Sequence, residues 1–215
     1  MKISYGITVH NEAEELQKLL EVLNKNIDKE DEIVVCVDGD DEKVEAVLGE
    51  SLDSWRNYIV YKRKLDGNFS DQKNSVIEKS SGDYIFHIDA DEYPNEILLQ
   101  QLKQILEIND VDLIWIPRVN TVEGMEQIHI ERWGWRVTDN GWVNYPDYQA
   151  RVFRNREDIR WTRPLHEYIK GCKTYAHLPP HEELSLYHPK TIEKQEQQNM
   201  FYNQNFSKEM NVRKI

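Results

Sequence analysis

Residues 83–92 read Asp83-Tyr84-Ile85-Phe86-His87-Ile88-Asp89-Ala90-Asp91-Glu92. Tyr84 to Ile88 is aromatic and β-branched, which predicts a short, largely buried strand. The apolar character stops abruptly, and the carboxylates Asp89, Asp91 and Glu92 follow. In extended backbone, residues two apart point the same way, so Asp89 and Asp91 are expected to face one site, with Ala90 taking little room between them. Hard oxygen ligands gathered on one side suit Mg²⁺ or Mn²⁺. A plainer reading stands beside this one. The acids also precede a helix expected to start near Pro94, and negative charge is favoured at a helix N-terminus.

The chain on either side of this stretch alternates strands and helices. Ile3 to Val9 reads as a first strand, and Asn11 is placed to cap a helix with Glu14 three residues on in a capping box. Leu16, Leu19, Leu20 and Leu23 recur at helical spacing. Ile33 to Val37 is a near-continuous apolar run, as expected of a strand covered on both faces. It ends in Asp38, Gly39, Asp40 and Asp41. A weaker helix (42–48) and a short strand (58–61) precede the basic run Lys62, Arg63, Lys64. A helix over 70–81, closed by Gly82 near its C-cap, leads into the 83–88 strand. Another helix over 95–106, with Ile97, Leu98, Leu102, Ile105 and Leu106 on its core side, and a strand at 113–116 follow. Such alternation predicts an α/β fold: a three-layer, mostly parallel sheet with helices on both faces. Ligands on such sheets bind at the carboxyl ends of the strands. His10 and Asn11, Asp38, and Asp89 with Asp91 all fall at those ends.

The second half changes character. From 119 to 167 the chain reads as loop-rich and holds Trp133, Trp135, Trp142 and Trp161. Trp161 is expected in the core, and the other three are expected to divide between packing and an acceptor site. Gln149 to Arg154 reads as a strand, Leu184 to His188 as a last strand, and 191–205 as a polar helix whose following residues fray. One domain over 1–215 is therefore expected, with an irregular, aromatic-rich C-terminal portion.

Composition narrows the classes of function. A hydrophobic content of 39% supports a core, while 31% charged residues favours a soluble protein. No apolar run approaches the roughly 20 residues a membrane span requires, and the N-terminus MKISYGITVHNE does not read as a secretory signal. The two cysteines, Cys36 and Cys172, form neither a disulfide framework nor a zinc ligand set, so a reducing cytoplasm is expected. A net charge of −12 opposes nucleic-acid binding. It also means that a polyanionic small ligand would need a metal or a local basic patch.

The blocks ITVHNEAEEL (7–16), VVCVDGDDE (34–42) and FSDQKNSVIEKSSGDYIFHIDADE (69–92) together resemble the family-2 glycosyltransferases. RVFR (151–154) and LHE (165–167) match a recurring pattern of bacterial members more weakly. The resemblance covers about the first hundred residues well. It implies the GT-A, Rossmann-like fold, with residues 1–117 binding a nucleotide-diphospho-sugar and 118–215 on the acceptor side. It further implies sugar transfer from that donor, expected to be a UDP-sugar, to a saccharide or other hydroxyl acceptor, usually with Mn²⁺ or Mg²⁺. Asp91 is the expected metal ligand, with Asp89 reaching the ribose or a metal-bound water and His188 completing the metal shell. Lys73, beside Asn74, would assist at the diphosphate, with a solvated helical lysine as the equal alternative. Asp38 would bind base or ribose, and Thr8 and His10 would line the base pocket beside Asn11 and Glu12. Here the chain departs from the family, which often has Pro and Tyr near these positions. An inverting transferase needs a general base, with Glu167 the first candidate and Asp147 the second. Three other readings compete. A metal-dependent phosphohydrolase or nuclease would use the Asp89/Asp91 cluster. A nucleotidyltransferase needs a glycine-rich basic loop that HNEAEEL lacks. A non-catalytic nucleotide-sugar-binding protein would not require Asp89 and Asp91.

Overall fold

The computed structural model describes residues 1–52, 57–208 and 210–211; the fraying expected of the final residues falls partly on residues outside that range. In chain order the elements are β1 (Ile3–Val9), α1 (Ala13–Asn26), β2 (Glu32–Val37), α2 (Glu42–Leu52), β3 (Tyr58–Lys62), α3 (Phe69–Lys79), β4 (Tyr84–Asp89), β5 (Tyr93–Pro94) and α4 (Glu96–Asn109). There follow β6 (Leu113–Ile116), β7 (Arg118–Glu123), α5 (Gln127–Trp133), β8 (Gln149–Arg154), β9 (Arg160–Thr162), β10 (Tyr168–Lys170), β11 (Tyr175–His177), β12 (Leu186–Thr191) and α6 (Ile192–Asn205).

Seven strands form the central sheet in the order β11-β6-β8-β4-β1-β2-β3. β4, β1, β2 and β3 run parallel, and β8 enters antiparallel between β4 and β6. The chain winds outward from β1 to β3 and then crosses back to place β4 on the other side of β1. That reversal makes the carboxyl ends of β1 and β4 a topological switch point, where open α/β sheets open a crevice. Alternation along β1 sends Ile3, Tyr5, Ile7 and Val9 to the face covered by α1, α2 and α4. On the other face α3 lies so close that a Cβ on Gly6 would stand 2.4 Å from Val76 Cγ1. The α3 layer continues into Phe153, Ile159 and Trp161, so the expected core role of Trp161 holds.

Several local expectations need correction. α1 begins after Glu12 without the Asn11–Glu14 box, because the longer Glu12 side chain turns back to accept from His10 N (2.9 Å) and Asn11 N (3.1 Å). α3 ends at Ser80 rather than at a left-handed Gly82. Gly82 is instead a point of close approach, where a Cβ would sit 2.7 Å from Ser4 N. Ile97 on α4 is exposed, and Leu99 takes its place in the core. The second half is more ordered than its composition suggests. β7 and α5 fall in the stretch read as loop, and β9 with β10 forms a hairpin. The last strand starts at Leu186, after a 3-10 turn over Glu182–Leu184. It pairs parallel with β7 and antiparallel with β5 in a small second sheet. That sheet carries His188 back toward the end of β4.

Candidate active site

The donor-side residues sit where the strands end. β1 and β2 are in register through Val9 and Val37, and Asp38 N donates to Val9 O (2.8 Å). Gly39 follows in the left-handed region (φ +96°), which lets the chain turn away beside the His10 ring. Asp38 Oδ1 accepts from Leu65 N (3.0 Å), and Asp38 O lies 2.7 Å from His10 Nδ1. Thr8 stands opposite both Cys36 and Asp89. Asn11 is exposed, and the Glu12 carboxylate is spent closing the β1–α1 turn. Of the basic run, Lys62 pairs with Asp40 (2.6 Å) and Arg63 Nη1 donates to Gln72 Oε1 (3.1 Å).

The two aspartates at the end of β4 diverge. The strand stops at Asp89, and Ala90 and Asp91 form a turn in which Glu92 N donates to Asp89 O (2.9 Å). The expectation that extended backbone aligns Asp89 with Asp91 is thereby corrected. Asp89 faces the α3 side, 3.3 Å from Lys73 Nζ and 2.6 Å from Arg151 Nη2. Burial alone would push its carboxyl up, but Arg151 and Lys73 outweigh burial and hold it well below the usual range. Beneath it, His87 is fully buried, 3.6 Å from Asp89 Oδ1, and burial pulls its pKa down to about 4.

Lys73 is not a solvated lysine. It is buried, and its ammonium bridges Asp89 to Glu167 Oε1 (2.8 Å). The bridge follows from how α3 begins: Phe69 N donates to Pro164 O (2.9 Å), docking the β9–β10 turn on the first turn of α3. His166 in that turn holds a left-handed φ of +52° that carries the chain round to Glu167. Asn74, expected at the donor, is committed elsewhere: its amide exchanges two 2.9 Å bonds with the Trp161 backbone.

Asp91 faces the second sheet. His188 Nε2 stands 3.2 Å from Asp91 Oδ2, although 97 residues separate the two in sequence. Asn120 fixes the tautomer of that histidine. Its Nδ2 faces the acceptors Asp147 Oδ2 (3.0 Å) and Val143 O (3.3 Å), so its Oδ1 faces His188 Nδ1 (2.7 Å), which must carry the hydrogen. Burial and nearby Arg118 hold the His188 pKa below its ordinary value despite Asp91. With the hydrogen on Nδ1, a neutral ring would turn its Nε2 lone pair toward the carboxylate, and two electron-pair donors so placed would suit a cation between them. Asp91 and His188 are the residues that could hold a divalent ion, with the remaining ligands from phosphate oxygens and water. Among the described residues no group of three or more His, Cys, Asp or Glu is disposed to hold a metal. Asp89 belongs to Arg151 and Lys73 instead.

Three residues that the sequence did not single out complete the network. Arg151, buried at the centre of β8, bridges Asp89 and Glu92 (2.6 and 2.7 Å). Arg118, at the start of β7, binds Glu92 (2.6 Å) and Asp147 Oδ2 (2.6 Å). Asp147 also accepts from Asn120 and Gln149, so its carboxylate is held on both oxygens. Lys190 is 4.0 Å from Asp91. A charged residue inside the otherwise strand-like QARVFR was the available signal for Arg151; nothing local marked Arg118 or Lys190.

The large, mostly parallel central sheet with its helices matches GT-A glycosyltransferase structures. The chain belongs to glycosyl transferase family 2, whose sequence profile matches residues 4–177. It is 28% identical over 171 residues to a TPR repeat-containing protein of Synechococcus elongatus, covering 78% of this chain and 35% of that one. It is 31% identical over 98 residues to a poly(ribitol-phosphate) beta-glucosyltransferase of Bacillus spizizenii, covering 43% and 15%. Among solved structures it resembles S. aureus TarS 1–349 in complex with UDP-GlcNAc, with a TM-score of 0.66, 17% identity and 88% of this chain covering 59% of that one. The same fragment in complex with UDP gives a TM-score of 0.64. The chain thus spans about a third or less of the length of these curated relatives. No described helix is long and apolar enough to cross a membrane.

Proposed function

We propose that the chain transfers a glycosyl group from a nucleotide-diphospho-sugar, a UDP-sugar first among them, to a hydroxyl of a saccharide or glycoconjugate, with inversion. The observation that carries this reading is the meeting of Asp89 and Asp91 with Lys73, Glu167 and His188 at the carboxyl edge of β1 and β4. Family membership and the UDP-GlcNAc complex of TarS support the donor class. In this reading residues 1–117 supply most of the donor pocket, with Asp38, His10 and Thr8 at its base and ribose end. Asp91 and His188 would hold Mn²⁺ or Mg²⁺, which neutralises charge developing on a departing diphosphate. The buried ammonium of Lys73 adds a fixed positive charge beside that position.

Glu167 is the proposed base. It takes the proton of the acceptor hydroxyl as the new bond from that oxygen to the anomeric carbon forms and the bond to the diphosphate breaks. Asp147 is second choice, since Arg118, Asn120 and Gln149 already draw on its lone pairs. A two-metal phosphohydrolase is less well supported, because Asp89 is ion-paired rather than placed to bridge metals. The unpaired cysteines are compatible with a reducing cytoplasm.

The test is calorimetry with UDP-GlcNAc, UDP-glucose and UDP-galactose in the presence of Mn²⁺ or Mg²⁺. At least one should bind, and Asp91→Ala should lose the metal-dependent part. Absence of binding by every nucleotide-sugar with either ion would falsify the transferase reading. Glu167→Gln should keep donor binding and lose transfer; unchanged turnover would move the base to Asp147. Donor binding by the wild type with no transfer or hydrolysis would instead favour a non-catalytic binding role.

A further inference from the structure

Directly beneath Asp89, on the α3 face of β4, lies His87, and nothing in the donor reading uses it. The ring is fully buried and stands edge-on to Trp161, at 5.6 Å between ring centres. Neither Nδ1 nor Nε2 has a hydrogen-bond partner within the protein. Arg151 Nε and Trp161 Nε1, buried in the same layer, are also unpartnered. Among the described residues six such side-chain atoms occur and four of them lie here, so the unmet polarity is concentrated under the site. A buried polar group without a partner loses its hydration for nothing, and an apolar side chain of similar bulk would avoid that cost.

We infer that His87 is the positioning residue of Asp89: its Nε2–H stands in reserve below Oδ1 and closes on that oxygen when a bound diphosphate draws Lys73 away. The inference rests on the transferase reading and adds to it the residue that keeps Asp89 aimed at the donor.

The distances around Asp89 are unequal. Arg151 Nη2 holds Oδ2 firmly at 2.6 Å, whereas Oδ1 stands 3.3 Å from Lys73 Nζ and 3.6 Å from His87 Nε2. Lys73 lies nearer Glu167, at 2.8 Å. Oδ1 is therefore the loose end of the carboxylate, with two donors drawn up to it and neither in close contact. A hydrogen bond of ordinary length, about 2.9 Å, needs the imidazole to approach by less than about 1 Å.

The hydrogen belongs on Nε2. Nδ1 faces β1, where a Cβ on Gly6 would stand 3.7 Å from it and Val76 Cγ1 crowds the same gap. Nε2 faces the carboxylate. A neutral imidazole carries one N–H, and the Nε2 tautomer turns it toward an acceptor. Burial, helped by the charges of Lys73 and Arg151, keeps the ring neutral. A neutral donor suits the handover. A third cation would oppose Lys73 and Arg151, whereas an apolar side chain would leave Oδ1 with no donor once Lys73 had turned away. Lys73 is built to turn, as a point charge on a flexible stem, and its ammonium lies 4.7 Å from the centre of the Trp161 ring that also packs on His87.

The experiment uses the full chain labelled with ¹⁵N-histidine, with UDP and Mg²⁺ as the probe. In the free protein the His87 ring should report a neutral Nε2–H, and UDP with Mg²⁺ should move that proton downfield as the bond to Asp89 forms. Calorimetry then compares two variants. His87→Leu should weaken UDP binding about tenfold and raise KM for the UDP-sugar more than it lowers kcat, while its urea midpoint stays at or above the wild-type value. His87→Gln, whose amide nitrogen reaches toward the place of Nε2, should recover most of the affinity. UDP binding unchanged in His87→Leu, a glutamine variant no better than the leucine one, or an Nε2 proton unmoved by UDP would overturn the role. Should His87→Leu misfold, the wild-type spectrum and the glutamine variant still decide. A wild type that binds no UDP removes the transferase reading and this role with it, whereas intact binding in every variant removes only the role of His87.

Discussion

The amino and carboxyl edges of the central sheet both bury acids, and they satisfy them differently. At the amino edge, Glu32 accepts from Ser4 Oγ (2.6 Å), Ser81 N (2.5 Å), Ser81 Oγ (2.7 Å) and Lys2 Nζ (2.6 Å), and Asp31 accepts from Ile3 N (2.8 Å). At the carboxyl edge, Asp89, Glu92 and Asp91 meet mainly the side-chain cations and imidazoles of Lys73, Arg151, Arg118 and His188. Backbone and hydroxyl donors fix an acid in one geometry and tie strands together. Side-chain cations gathered from distant segments create a field that a ligand can enter and repartition. The first edge is a clasp, and the second is a site.

Five substitutions test that contrast, beginning with the largest expected effect. Asp91→Ala should lower kcat/KM for UDP-sugar transfer by about 10³-fold while thermal unfolding moves little. A collapse of the fold instead would make the carboxyl edge structural. Arg151→Met leaves Asp89 and Glu92 buried without their shared cation, at a cost of about 3–5 kcal/mol in urea unfolding. Lys2→Met, at the half-exposed clasp, should cost under about 1 kcal/mol, and equal losses would erase the distinction. Gly82→Ala forces a Cβ against the Ser4 backbone and should destabilise by about 1–3 kcal/mol, leaving UDP-sugar affinity intact by calorimetry.

Glu32→Gln gives the most diagnostic effect. Burial raises the Glu32 carboxyl, but Lys2, Ser4 and Ser81 outweigh burial and bring it down to about 2. The unfolded value is about 4.3. Its stabilising contribution is therefore complete above that value and is lost as pH falls toward 2. Unfolding free energy measured against pH should show a shallower acid limb in the glutamine variant. An unchanged limb would assign acid sensitivity to the carboxyl edge.

The α/β class was readable from Ile33–Val37, Tyr84–Ile88 and the leucine stripe of α1, because burial on both faces leaves a continuous apolar run and burial on one leaves a helical period. The placement of Asp38, Asp89 and Asp91 along one edge was readable because strand ends on such a sheet share an edge. Arg118 and Lys190 were not, and the meeting of His188 with Asp91 was expected only through the family resemblance. They depend on β12 adding beside β7, a parallel pairing across some seventy residues that leaves no local periodicity. The ordered β7 and α5 were missed for a related reason: edge strands and surface helices with exposed polar positions resemble loops in sequence. Asn74 was placed at the donor by resemblance, and its two bonds to Trp161 arise from a hairpin 87 residues later.

The antiparallel insertion of β8 carries a consequence for the order in which this protein acquires its parts. β4 and β6 are both made before residue 117, yet neither is the other's neighbour; the gap between them is filled by a strand that leaves the ribosome some thirty residues later. Until Arg151 arrives, the nascent sheet has an open flank at Phe86 and an acid with half its counter-charge. A chain stopped after β6 should thus be sticky before it is inactive. The last strand to enter the sheet interior is also the one that brings the site its central cation.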